Sequence, residues 1–171
     1  LIPLMASQDW NASSGEIVLN KKIYNNNLKK WVRKSQPAKP SLHEAYDFWI
    51  ENIFSLKEDR ENSFLVVNIT HYSPILAQEW LALLINELNN FMRDLDVGEA
   101  NLANDYLHLE VSKTSSEELR SLLFGLIQSN AEKKMLAYSR PEYIFRIIDP
   151  PIVPEKKYLP NRLIIVIMGI V

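Results

Sequence analysis

"SPILAQEWLALLINELNNFMRDLDVGEANLANDYLHLEVSK", residues 73–113, is the stretch whose reading decides the fold. Ser73 followed by Pro74 is a strong helix start. The serine can accept from the first turn, and the proline lacks only an N–H that a first helical position leaves unused. Nothing then breaks a helix until about Lys113. Ala77, Leu81, Leu84, Leu88, Phe91, Leu95, Gly98 and Leu102 alternate steps of four and three, a heptad-like seam. Roughly forty residues at ~1.5 Å rise predict a rod of about 60 Å, nearly twice the width of a small domain, so part of it is expected to project. Between Ile75 and Met92, Leu76, Trp80, Leu83 and Ile85 widen the apolar face; beyond Gly98 it narrows, and Asn101, Asn104 and Asp105 intervene. The lower half is expected to pack into the domain and the upper half to lean on one partner helix.

That partner follows at once. "KTSSEE" supplies a turn, and Ser115 or Ser116 caps a second helix running to about Ser139. Leu119, Leu123, Ile127, Ala131, Met135 and Tyr138 lie on one of its sides, and Arg140-Pro141 stops it. "EYIFRIID" then reads as a strand, with Tyr143, Phe145 and Ile147 on one face and Ile144, Arg146 and Ile148 on the other.

Upstream, Ser41 and Glu44 have the spacing of a capping box, and Leu42, Ala45, Phe48 or Trp49, and Ile53 continue at helical spacing. "FSLKEDRENSFLVVNITHY" reads as a hairpin turning in its charged middle. The first forty residues carry weaker signals. Residues 1–5 read as a short edge strand, "SQDWNASSGE" as a polar loop, residues 16–33 as a helix weakened by "YNNN", and "SQPAKPS" as a linker. The expected class is α+β: a small mixed sheet with helices on it, and a long antiparallel helical hairpin inserted between two strands.

Composition narrows the function. The 171 residues are 47% apolar and 23% charged, ordinary for a globular domain, and the net charge of -2 argues against a nucleic-acid footprint. The basic pairs Lys21-Lys22, Lys29-Lys30 and Arg33-Lys34 read as solvated surface. There is no cysteine, which excludes thiolate metal sites and disulfides. The start on "LIPLM" reads as an excerpt or processed form of something longer, with no signal peptide in view.

No catalytic constellation emerges. His43, His71 and His108 share no metal-ligand spacing, and His71 reads as a residue at a strand-to-helix junction. The four glycines form neither GxGxxG nor GxxxxGK[ST], and no nucleophile elbow is present. "KEDRE" reads as a solvated turn, and Trp49 and Trp80 as core aromatics rather than sugar platforms. No enzyme activity, metal or cofactor is expected.

The end of the chain is distinctive. Pro150, Pro151, Pro154 and Pro160, with Lys156, Lys157 and Arg162, precede Leu163–Val171, which carry no polar side chain. That run reads either as a final buried strand, by its β-branched content, or as the first turns of a transmembrane helix behind a collar of Tyr158 and cationic side chains. A full span needs ~20 apolar residues.

Taken together, "VVNITHYSPILAQEWLALLINELN" and "EELRSLLFGLIQSNAEKKMLAYSRPEYIFRIIDPPIVPEKKYLPNR" resemble the polysaccharide co-polymerases, the Wzz-type chain-length determinants of bacterial surface polysaccharides. The resemblance covers about Ser41 to Val171. It rests on Ser73, Pro74 and Ala77 opening the long helix, and on Tyr143, Phe145, Asp149, Pro150, Pro154, Pro160 and Arg162 leading to an apolar run. These are structural positions; the family has no active site to carry over.

The resemblance implies a periplasmic domain on the bacterial inner membrane, with a base (residues 1–73 and 140–162), a protruding helical hairpin (74–139) and the start of a second transmembrane helix (163–171). It implies a ring of identical protomers that sets the modal length of O-antigen or a related polymer, acting with the Wzy-type polymerase on a growing lipid-linked glycan. The rival readings are the external domain of a tyrosine autokinase for capsule or exopolysaccharide export, and a soluble adaptor dimerising through its helical hairpin. A glycan hydrolase would need a paired-carboxylate cleft.

Overall fold

The computed structural model describes residues 1–154. Its elements are α1 (Ile2–Ala6), β1 (Ser7–Asn11), β2 (Glu16–Leu19), β3 (Tyr24–Asn25), β4 (Lys30–Trp31), α2 (Leu42–Phe48), β5 (Phe54–Asp59), β6 (Phe64–Ile69), α3 (Pro74–Lys113) and α4 (Glu117–Ser139). Five π-helical residues, Trp49–Ile53, join α2 to β5. The chain forms two compact units, Leu1–Leu81 with the segment from Pro151, and Ala82–Pro150. The fold is mixed α and β, with small antiparallel sheets and two long helices that pack together.

The first unit corrects the sequence reading over its opening residues. Residues 1–5 form no edge strand: Ile2–Ala6 is a helical turn that tolerates Pro3 near its start, and Ala6 is fully buried. The polar stretch after it is no loop. Ser7–Asn11 pairs with Glu16–Leu19, and Tyr24–Asn25 with Lys30–Trp31, so residues 16–33 are hairpin rather than helix.

One turn design, used three times, explains this. Each hairpin closes through four residues, 12–15, 26–29 and 60–63. At the head of each loop a short oxygen-bearing side chain accepts the N–H two residues on. Asn11 takes Ser13, Asn25 takes Asn27 and Asp59 takes Glu61, each at 3.0 Å. At the foot, Gly15, Lys29 and Ser63 adopt φ of +67°, +50° and +57° and turn the chain into the second strand. The backbone N–H of Glu61, then the Asn62 side chain, hold the Asp59 carboxyl below its ordinary range.

The single mixed sheet is also corrected: among the described residues there are three separate two-stranded antiparallel sheets. Helix α2 starts as expected, with Ser41 Oγ accepting the Glu44 N–H at 3.1 Å. Leu42 is 84% exposed, while Ala45 and Ile53 are buried. The Glu44 carboxylate is bonded by Arg33, whose Nε also donates to the Ala38 carbonyl at 2.6 Å, so one guanidinium ties the linker to the helix. That bond, foremost, holds the Glu44 carboxyl below its usual range, with Ser41 N–H adding to it.

Helix α3 runs from Pro74 to Lys113 and α4 from Glu117 to Ser139, with Ser116 Oγ accepting the Leu119 N–H at 3.4 Å. Their meeting face is a correction. Arg93 bonds to the Ala137 carbonyl, Asn101 accepts from Lys134, and Asn104 accepts from Asn130, at 2.8, 3.0 and 2.9 Å. Asn89 and Ala100 are the residues α3 buries. At about 3.6 residues per turn, Asn89, Arg93, Ala100 and Asn104 share one side of the helix. The upper part of the heptad seam lies on the other side: Phe91 is 63% exposed, Leu95 45% and Leu102 72%. On α4, Leu123, Ile127 and Ala131 are partly covered as expected, but Leu119, Met135 and Tyr138 are exposed.

No strand forms over Tyr143–Ile148, although the alternation is kept: Tyr143, Phe145 and Ile147 are half-buried, and Ile144, Arg146 and Ile148 exposed. The backbone bends at 141–144 and 148–149, and among the described residues it pairs with no strand; a side chain bonds it instead. The buried Asn89 amide accepts the N–H groups of Ile144 and Phe145 at 2.9 and 2.8 Å and donates to the Phe145 carbonyl at 3.0 Å. No described helix is long and apolar enough to cross a membrane. The apolar run Leu163–Val171, with Pro160 and Arg162, lies outside the described residues.

Candidate functional site

Four side chains in the second unit hold the C-terminal end of α4 and the segment that follows it. Asn89 fixes Ile144 and Phe145 as described. Arg93 spreads its guanidinium over the helix end: Nε donates to the Ala137 carbonyl at 2.8 Å, and one terminal nitrogen reaches the Arg140 and Pro141 carbonyls at 3.1 and 2.8 Å. Its other nitrogen donates to Asn90 Oδ1 at 2.8 Å. A helix leaves its last carbonyls without partners, and a cation with a fork of donors satisfies them. Tyr143 Oη donates to Asp96 Oδ2 at 2.7 Å, with the Arg93 guanidinium carbon 5.9 Å from its ring centroid. The hydrogen bond to Asp96, foremost, then burial and the nearby negative charge push the Tyr143 phenol above its ordinary value; Arg93 pulls the other way.

Beside this set lies an open cleft of about 560 Å³ between α3 and α4. Small and aliphatic side chains, Val97, Ala100, Ala103 and Ala137, line it where the helices come close. Two carboxylates (Asp96, Glu99), two lysines (Lys133, Lys134), Asn130 and Tyr143 supply its polar groups. The lining charges balance, so the cleft has no preference for an anion or a cation on charge alone.

The sequence-chosen positions fall as follows. Ser73 is buried at the head of α3, its Oγ accepting the Leu76 N–H at 3.3 Å and its own N–H donating to His71 Nδ1 at 3.0 Å. Pro74 opens the helix, and Ala77 returns its N–H to the Ser73 carbonyl at 3.1 Å. His71 Nε2 lies 3.0 Å from the Pro3 carbonyl, so the histidine joins α1 to the start of α3, and its ring packs on Trp80, which packs on Trp49. That is the junction role read from its position. Tyr143 and Phe145 share the half-buried side of their segment, whereas Asp149, Pro150 and Pro154 are exposed. Gln78 donates to the Pro151 carbonyl at 3.2 Å.

Of the three polar rod positions, Asn101 and Asn104 engage α4 and Asp105 is exposed. Sequence reasoning missed Asn89, Arg93 and Asp96. Their signal was only their spacing: three polar residues at steps of four and three, on the side of α3 opposite its apolar stripe. Among the described residues no group of three His, Cys, Asp or Glu side chains is placed to hold a metal. The chain matches no protein-family model and no curated protein.

Proposed function

We propose that this chain is the periplasmic domain of a Wzz-type, non-enzymatic regulator of the length of a bacterial surface polysaccharide, O-antigen or a related polymer. On this reading α3 and α4 are the helical hairpin of the family. Copies assemble side by side on the inner membrane, where they engage the polymerase and the growing lipid-linked glycan. Repeated weak contacts across identical protomers govern how long the polymer stays engaged.

The observation that carries the reading is the uncovered apolar stripe of α3. Leu88, Phe91, Leu95, Leu102 and Leu109 recur at heptad spacing on the side away from α4, and all are exposed. The residues that unit buries are Asn89, Ala100 and Ala137, too little for two helices to be stable as an isolated pair. A heptad stripe is covered by another helix, and side-by-side copies supply one. The motif order supports the family: Ser73-Pro74 opens the long helix, and the Tyr143/Phe145 segment leads to Asp149-Pro150.

The test is an electrophoretic ladder of surface polysaccharide from the bacterium with this gene deleted, then restored either as wild type or with Phe91→Glu and Leu95→Glu together. The expected result is loss of the clustered length distribution on deletion, its return with the wild type, and no return with the charged stripe. An unchanged ladder on deletion removes the functional reading. Full restoration by the charged variant removes the side-by-side assembly through α3.

A further inference from the structure

We infer that the β3–β4 hairpin is a docking surface for an anionic phospholipid bilayer. Charge is not evenly spread along this chain. Residues 17–43 carry seven basic side chains and no carboxylate, although the whole chain has a net charge of -2. Asymmetry of that kind points to a polyanionic or membrane partner. One of the seven, Arg33, is committed to Glu44. The other six, Lys21, Lys22, Lys29, Lys30, Lys34 and Lys39, are all exposed, and none makes an ion pair among the described residues.

Singly, such lysines are solvated surface; the fold gathers them. Tyr24 pairs with Trp31 and Asn25 with Lys30, and the Val32 N–H donates to the Ile23 carbonyl at 2.9 Å, which continues the ladder. Lys21, Lys22 and Lys34 therefore stand at the open end of the hairpin, and Lys29 and Lys30 at its closed end. Lys22 is three residues along the strand from Asn25, the partner of Lys30, or about 10 Å at ~3.3 Å per residue. That is within about one screening length, so their fields add. Side chains fix both turns. Asn20 Oδ1 accepts the Lys22 N–H at 2.9 Å, and Asn25 Oδ1 accepts those of Asn27 and Leu28 at 3.0 and 3.1 Å.

Charge alone would suit any polyanion; the apolar side chains among the lysines select a bilayer. Leu28, in the closing turn directly before Lys29 and Lys30, is 64% exposed, and Val32 is 42% exposed. At a membrane interface such side chains enter the acyl boundary while lysine ammoniums stay at the phosphates. Against nucleic acid the same leucine would meet only phosphate and sugar. The aromatic residues of the hairpin are not free to stack on bases either. Tyr24 is buried and meets Trp31 edge-on, with ring centroids 5.3 Å apart. Strands of two residues are also too short to run along a groove.

The test is cosedimentation of the full chain with vesicles of phosphatidylcholine alone, and with vesicles of phosphatidylcholine mixed with phosphatidylglycerol. The expected result is a gain in bound protein with the anionic lipid, and a gain that falls as salt is raised. Lys22→Gln with Lys30→Gln is expected to weaken that gain about 25-fold, at roughly a factor of five per lysine, and Lys22→Arg with Lys30→Arg to keep it. Leu28→Ser, in an exposed turn, is expected to weaken it about tenfold. All three variants are expected to keep the circular dichroism unfolding midpoint of the wild type.

No gain with phosphatidylglycerol overturns the inference. So does a gain that survives both the glutamine pair and Leu28→Ser, since the contact then lies off the hairpin. Equal affinity for duplex DNA at the same ionic strength overturns it in favour of a nucleic-acid partner. The hairpin belongs to the first unit, and its docking needs no glycan. Vesicle binding and the polysaccharide ladder are scored separately, and either can fail while the other holds.

Discussion

The two units solve the same problem, backbone outside the helices that needs hydrogen-bond partners, by opposite means. In the first, short strands pair with each other across four-residue loops, and the side chains that shape those loops are local, reaching two residues along the chain. In the second, the segment after α4 has no strand beside it among the described residues, and α3 supplies single side chains in its place: Asn89, Arg93 and Asp96. Backbone pairing spreads the load over many small bonds, whereas side-chain pairing concentrates it. The first unit should therefore degrade gradually when mutated and the second abruptly.

The largest effect is expected from Asn89→Ala, which removes the partner of two part-buried N–H groups and one carbonyl at once. The cost is about 3 kcal/mol, read by chemical denaturation, with hydrogen exchange at Ile144 and Phe145 accelerating most. A loss under 1 kcal/mol would break the contrast. Arg93→Lys comes next at about 2 kcal/mol, since an ammonium cannot span the three carbonyls that the planar fork reaches; thermal unfolding checks it. In the first unit His71→Phe keeps a ring against Trp80 but releases Pro3 and the Ser73 N–H. It is expected to cost about 1–2 kcal/mol and to raise exchange at the start of α3.

Smaller still, Ser63→Gly removes a side chain from a backbone with φ of +57° and is expected to stabilise by about 0.5–1 kcal/mol in the same melts.

The last prediction is pH-dependent and sharpens the comparison by giving the units opposite limbs. Glu44 is held below its ordinary range, so the stability it confers is present above that range and is lost as the pH falls through it. Tyr143 is held above its ordinary value near ~10, so its contribution is intact below that value and lost as the pH rises past it. Hydrogen exchange should therefore loosen residues 33–44 first in acid and the Asp96–Tyr143 region first in alkali. The order reversed, or both limbs in one unit, would contradict the assignment.

The elements legible in the sequence are those announced by their own ends. Ser73-Pro74, Ser116 and Arg140-Pro141 set the limits of α3 and α4, because caps and prolines act within one turn. The hairpin at 54–69 was legible from its charged turn. The hairpins of the first forty residues were not, since strands of two to five residues show no periodicity. Their real signal was Asn11 and Asn25, whose side chains imitate a turn of backbone.

The facing side of α3 was misread for a different reason. Periodicity finds the most apolar stripe of a helix but not which neighbour that stripe meets, and α4 meets the stripe of Asn89, Arg93, Ala100 and Asn104. The Tyr143–Ile148 alternation was legible, but the partner was not, because one asparagine 55 residues away does the work of a strand.

That substitution of a side chain for a strand has a consequence for solubility. "YIFRII", residues 143–148, combines β-branched and aromatic residues in a window of the kind that seeds cross-β assembly when its edges are open. Pro141 stands before it and Pro150-Pro151 after it, and Arg146 places a charge on its exposed side. A growing fibril would have to tolerate missing donors at both ends of the window and a stacked charge in every layer. The prolines on either side of this segment thus also act as gatekeepers, letting a non-helical apolar stretch stand without a partner strand among the described residues and without recruiting its own copies.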